Sequence, residues 1–149
     1  MMDFATTTPF QLARRLAAAG QGSSSVYLLI SETGGIEAVE ADVIAEVEVQ
    51  LGVSLRRLSG SEVRLERLED AFSSGADWPV MLLNLNRWIP KLIRSLDRNI
   101  VLVTRAGAVL LLANPDVAQR LLEKAPNLRN RLTDILLIKP DDAFGGVRA

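Results

Sequence analysis

Two kinds of hydrophobic spacing alternate along this chain. Largely apolar runs occupy residues 26–30 (VYLLI, unbroken), 78–86 (WPVMLLNLN), 108–113 (AVLLLA) and 132–138 (LTDILLI), and a weaker one falls at 53–58. Runs this short, without polar alternation, fit strands buried on both faces of a parallel sheet. Between them, apolar residues return every three or four positions. Ile36, Val39, Val43, Val47 and Leu51 form one such stripe, with Glu37, Glu40, Asp42, Glu46 and Glu48 on the other faces and Gly52 as the stop. Thr8 and Pro9 read as the N-cap and first position of an opening helix that carries Phe10, Leu12, Leu16 and Ala19. Ser61 opens a helix packed through Val63, Leu65, Leu68 and Phe72. Asn114, Pro115 and Asp116 start another, which carries Val117, Leu121 and Leu122 and ends near Pro126. One segment reads two ways. Residues 100–103 have the composition of a strand, yet Ile89, Leu92, Ile93, Leu96, Ile100 and Val103 keep helical spacing, so a single long helix stopped by Gly107 is the preferred reading.

Strands alternating with helices over five units predict an α/β three-layer sandwich around a five-stranded, mainly parallel sheet. The 149 residues fit one domain. Within it, residues 1–22 read as an N-terminal helix and linker, 23–140 as the α/β core and 141–149 as a flexible tail. No window reaches the length of a membrane span, and the start lacks the basic and apolar regions of a secretory signal, so the cytoplasm is the expected location.

Composition narrows the chemistry. The chain has no cysteine and no histidine, which excludes thiol catalysis, imidazole bases and the usual zinc sites. Carboxylates would have to do any acid–base work. A net charge of −1 and a pI near 5.5 lack the footprint of a nucleic-acid binder. Arginine nevertheless outnumbers lysine, fourteen to three. Its planar guanidinium is favoured at protein interfaces.

The segment SETGGIEAV after the first run has the layout of a phosphate-binding loop, a strand running through a glycine turn into a helix. The residues that would do the binding are missing. The nearest lysine that follows is Lys91, Thr33 precedes the glycines, and Glu32 and Glu37 bracket the turn with negative charge. The third run, where an NTPase would place a magnesium-binding acid, ends instead in Asn84 and Asn86. Asp141 and Asp142 could approach a hard cation, but adjacent acids in a tail are ordinary. No catalytic, cofactor or metal residue is expected.

With these positions in view, the chain resembles a degenerate member of the STAND-type, AAA-like P-loop NTPases of bacterial signalling and defence. The resemblance covers roughly residues 24–140 and rests on LNLNRWIPKLIRSLDRN, on VLLLANPDVAQRLLEKAPNLRNRL with its APNL turn (125–128), and on the closing strand. It implies a P-loop-like fold without nucleotide chemistry. It also implies a non-catalytic adaptor or sensor that contacts a protein partner, such as a protease or other effector, with self-association into a homo-oligomer open; the charge balance and the lack of an apolar span leave neither nucleic acid nor membrane as an expected partner. Aromatic and arginine side chains dominate binding hot spots, so Trp88, Arg87, Arg94, Arg98 and Trp78 are the candidate interface. The alternative is a noncanonical nucleotide or small-metabolite site in the cleft at the carboxyl ends of the strands.

Overall fold

The computed structural model describes residues 4–19, 25–32, 36–59, 80–85, 87–98 and 107–140. Its elements are β1 (Ala5–Thr7), α1 (Pro9–Ala19), β2 (Ser25–Ile30), α2 (Ile36–Leu51), β3 (Arg56–Ser59), β4 (Val80–Leu85), α3 (Pro90–Arg98), β5 (Ala108–Ala113), α4 (Pro115–Lys124), α5 (Pro126–Arg131) and β6 (Asp134–Ile138). The strands form one sheet in the order β1-β6-β2-β5-β4-β3, and every ladder is parallel.

The three central strands are fully buried from end to end apart from Ser25 at the start of β2, in keeping with their largely apolar runs. Alternate residues divide between two cores. Val26, Leu28, Ile30, Met81, Leu83 and Leu111 pack with α3, α4 and α5. Tyr27, Leu29, Leu82, Leu110 and Leu112 pack with α1 and α2. The layering follows from handedness. Connections through α1 and α2 move across the sheet toward β3, and those through α3 and α4–α5 move back toward β1. Right-handed crossovers then put the two sets on opposite faces.

The expected five strands become six. The addition is β1, which pairs with β6 in the register Ala5–Leu136 to Thr7–Ile138. Three residues, Ala-Thr-Thr, with only Thr7 buried, carry no period that sequence reading could use. What makes them a strand is an edge supplied from the far end of the chain, including the Lys139 N–H that donates to the Thr7 carbonyl at 3.0 Å. The weak run at 53–58 pairs only from Arg56, while Leu55 is buried in the α1–α2 core.

Local signals set the helix ends. The Gln11 N–H donates to Thr8 Oγ1 at 3.2 Å, capping α1 ahead of Pro9. Asn114 Oδ1 accepts from the Val117 N–H at 2.8 Å, which caps α4. Gly52 takes φ +67° just past α2, a left-handed turn that glycine adopts without strain. The helix expected to end near Pro126 does so at Lys124, but Pro126 immediately begins α5, which sequence reading had as a turn. The N-cap residue of α5, Ala125, makes no side-chain cap bond. Asp97 on α3 supplies one from outside, accepting from the Leu128 N–H at 2.9 Å and from Asn127 Nδ2 at 3.3 Å. The helix predicted from Ser61, the segment at 100–103 and the tail from residue 141 lie outside the described residues.

Candidate functional site

In a sheet of this order the natural ligand crevice lies at the carboxyl ends of β2 and β5. There α2 leaves across one face and α4 across the other, a topological switch point. Ser31 is buried at this point, its N–H bonded to the Ala113 carbonyl at 2.8 Å. Glu32 beyond it is exposed, as is Glu37 in the first turn of α2. Residues 33–35, between them, lie outside the described residues. A helix N-terminus attracts negative charge, and here the chain's own carboxylate, Glu37, occupies the first turn. Lys91 lies on the exposed side of α3, within the other helical layer.

The end of β4 contains an internal polar cluster. Val80, Leu82 and Asn84 face the α1–α2 layer, because side chains alternate along a strand. The Asn84 side chain is 3% exposed, and its amide nitrogen donates to Oε2 of Glu40 on α2. Oε1 of the same carboxylate accepts from Arg57 Nε on β3 at 2.7 Å. Both carboxylate oxygens are thus engaged by groups from two strands. Asn84 Oδ1 is buried and has no hydrogen-bond partner among the described residues. Among the described residues no three carboxylates come together as a metal site would need.

Sequence reading placed Glu40 on the solvent faces of α2; it is 8% exposed. The signal was present, because Glu40 lies four residues after Ile36 and three before Val43, inside the apolar stripe. Burying a charge there requires partners, and those partners come from β3 and β4, which sequence spacing does not connect to α2.

Of the predicted interface, Arg87, Arg94 and Arg98 are exposed and Trp88 is half-buried. Lys91, Arg94 and Arg98 recur at steps of three and four on α3, opposite the buried Leu92, Ile93 and Leu96, and Arg87 lies just before the helix. Trp88 packs against the α3–α5 core, and the Arg120 guanidinium sits over its ring at 5.9 Å. Trp88 therefore acts first as packing, with the cations outside it. Trp78, Asn86, Asp141 and Asp142 lie outside the described residues.

Sequence reading also missed a cavity of about 710 Å³ between α4, β6 and the residue preceding β1. Ile30, Ala118, Leu122, Ile135, Leu137 and Phe4 make its apolar wall; Glu32, Gln119, Glu123, Arg129 and Lys139 also line it. No pattern in the sequence marks it, because its walls come from α4, β6 and the residue before β1, which only the fold brings together.

No protein-family model and no curated protein matches the chain. Solved structures do. The DnaC helicase loader superposes with a TM-score of 0.56 at 11% identity, over 85% of each chain. The Aeropyrum pernix ORC1 protein, solved in complex with DNA, gives 0.55 at 16% identity over 94% of this chain. A DNA replication initiation factor gives 0.56 at 10% identity over 88% of it. This chain spans less than half the length of the last two, 46% and 44%. The fold these similarities define is the P-loop NTPase-like α/β sandwich. No helix among the described residues is long and apolar enough to cross a membrane.

Proposed function

We propose that this chain is a non-catalytic, P-loop NTPase-like module that works through protein–protein contact, as inactive STAND modules do in bacterial signalling and defence. The observation that carries this reading is the cluster of Asn84, Glu40 and Arg57. At the end of β4, where an NTPase would offer a free carboxylate to magnesium, the chain has an amide, and the buried acid beside it is already held by two partners. At the start of α2 the first-turn charge is Glu37 rather than a lysine. A polyphosphate would meet a carboxylate where it needs a cation.

The contact surface in this reading is the outer side of α3, with Lys91, Arg94 and Arg98 and the preceding Arg87. Single-sign stripes steer oppositely charged partners, so the partner presents acidic residues. The structural neighbours named for replication share the fold at 16% identity or less. The overall acidity of this chain favours a protein partner over nucleic acid.

Isothermal titration of the full chain with ATP, ADP and GTP in the presence of magnesium tests the reading. No saturable heat is expected up to millimolar nucleotide. A micromolar dissociation constant for any of the three would overturn it.

A further inference from the structure

Charge is divided between the two faces of the sheet. Over one face, α2 carries Glu37, Glu40, Asp42, Glu46 and Glu48 and no cation. Over the other, α3, α4 and α5 together carry seven cations and three carboxylates. Two of those three acids are occupied, Asp97 in capping α5 and Asp116 beside Arg120 at 3.6 Å. The arginines of α1 do not offset α2: Arg15 is held by Asp134 at 2.9 Å, and Arg14 sits over the Phe10 ring at 5.9 Å. Asp42, Lys91, Arg94 and Arg98 have no ion pair among the described residues. The acidic and basic surfaces lie on opposite sides of the sheet, so one copy cannot join them within itself.

The acidic helix is also apolar on two sides. Val39, Val43 and Val47 face the sheet and are fully buried. Ala41, Ala45 and Val49 recur at four-residue steps on the outer side and are exposed, Val49 to 80%. A helix that is apolar all round is ordinarily covered all round. Asp42 and Glu46 border this outer strip, each one position beyond an alanine.

From these features we infer that the acidic partner of α3 is the α2 face of a second copy of this chain, so that copies stack head to tail. The inference rests on the interaction-module reading and supplies its α3 surface with an occupant. The spacings match. Asp42 and Glu46 are four residues apart, as are Arg94 and Arg98, which is about 6 Å on either helix at ~1.5 Å per residue. Each guanidinium then meets one carboxylate, and the arginine stems lie along the low alanine strip. Pairing α2 with α2 would set carboxylates against each other, and pairing α3 with α3 would do the same with cations. The contact therefore joins unlike surfaces. Because these lie on opposite faces of the sheet, a pair still has one of each free, and growth continues beyond a dimer.

Sedimentation velocity of the full chain from micromolar to millimolar concentration tests this. In low salt the mass is expected to rise past that of a dimer, and half-molar sodium chloride should abolish the rise. That salt dependence needs no variant. Arg94→Ala/Arg98→Ala removes one side of the contact and Asp42→Asn/Glu46→Gln the other, with circular dichroism reporting that each still folds. Either variant alone should associate at least tenfold more weakly than the wild type. Mixed in equal amounts they should form a one-to-one complex and nothing larger, because one keeps its α2 face and the other its α3 face. A wild-type chain that stays monomeric would overturn the proposal. So would association that stops at a dimer, that survives half-molar salt, or that is lost in only one of the folded variants, and so would a mixture as inert as its parts. A monomeric wild type would still leave the module reading standing, with another protein's acidic residues on α3, and the nucleotide titration judges that reading separately.

Discussion

Replacing Asn84 with Asp is expected to destabilise the protein by roughly 3–5 kcal/mol at pH 7, the cost of leaving an uncompensated charge in a buried site. The substitution would place here the acid that an NTPase carries on the corresponding strand, yet no nucleotide hydrolysis should appear. Asn84 donates to a Glu40 carboxylate whose other oxygen is held by Arg57. An ionised aspartate in its place has no proton to donate and sets two carboxylates against each other. The sign of the pH dependence follows. The introduced carboxyl would hold its proton more tightly folded than unfolded, so its folded pKa lies above the unfolded value of about 3.9. The penalty is therefore absent below that value and grows as the pH rises through the folded one. Asn84→Leu gives the contrast. It removes the amide donor together with the unpartnered Oδ1, leaves Arg57 on Glu40, and should cost about 1–2 kcal/mol with little pH dependence. Urea denaturation of both variants at pH 4.5 and 7 decides the matter; an Asn84→Asp protein as stable as the wild type at pH 7 would show that the cluster carries no structural role.

The second large effect concerns how the core is distributed. Leu110→Ala should cost roughly 3–5 kcal/mol, and Leu137→Ala only about 1 kcal/mol. Leu110 is fully buried on β5, with β2 and β4 bonded on either side. Its neighbours cannot collapse into the space a truncation leaves, so the loss includes a cavity as well as lost transfer energy. Leu137 on the edge-side strand β6 packs against the α3–α5 core but stays only partly buried beside the cavity. Denaturant midpoints measure both. Equal losses would mean that Leu137 is packed as tightly as the side chains of the central strands.

Much of the fold was legible in the chain because it rests on local patterning. The run at 108–113 and the stripe from Ile36 to Leu51 match β5 and α2 at both ends, since burial on two faces and burial on one leave different periods. Thr8, Pro9, Gly52 and Asn114 acted as the boundaries their cap chemistry predicts. The switch from Leu to Asn at position 84 flagged the right place at the end of β4. It did not reveal what the amide was for, because Glu40 is 44 residues away in the chain.

By itself, then, the sequence determined the class of fold, the order of its main elements and the chemistry the chain lacks. Each of these depends on which residues are apolar, where the spacing changes, and the absence of cysteine and histidine. Tertiary structure alone decided the rest. It made a strand of Ala5–Thr7, turned Glu40 inward between Arg57 and Asn84, and capped α5 with Asp97. All three depend on partners from distant parts of the chain, and a one-dimensional period carries no information about which distant residue will stand opposite.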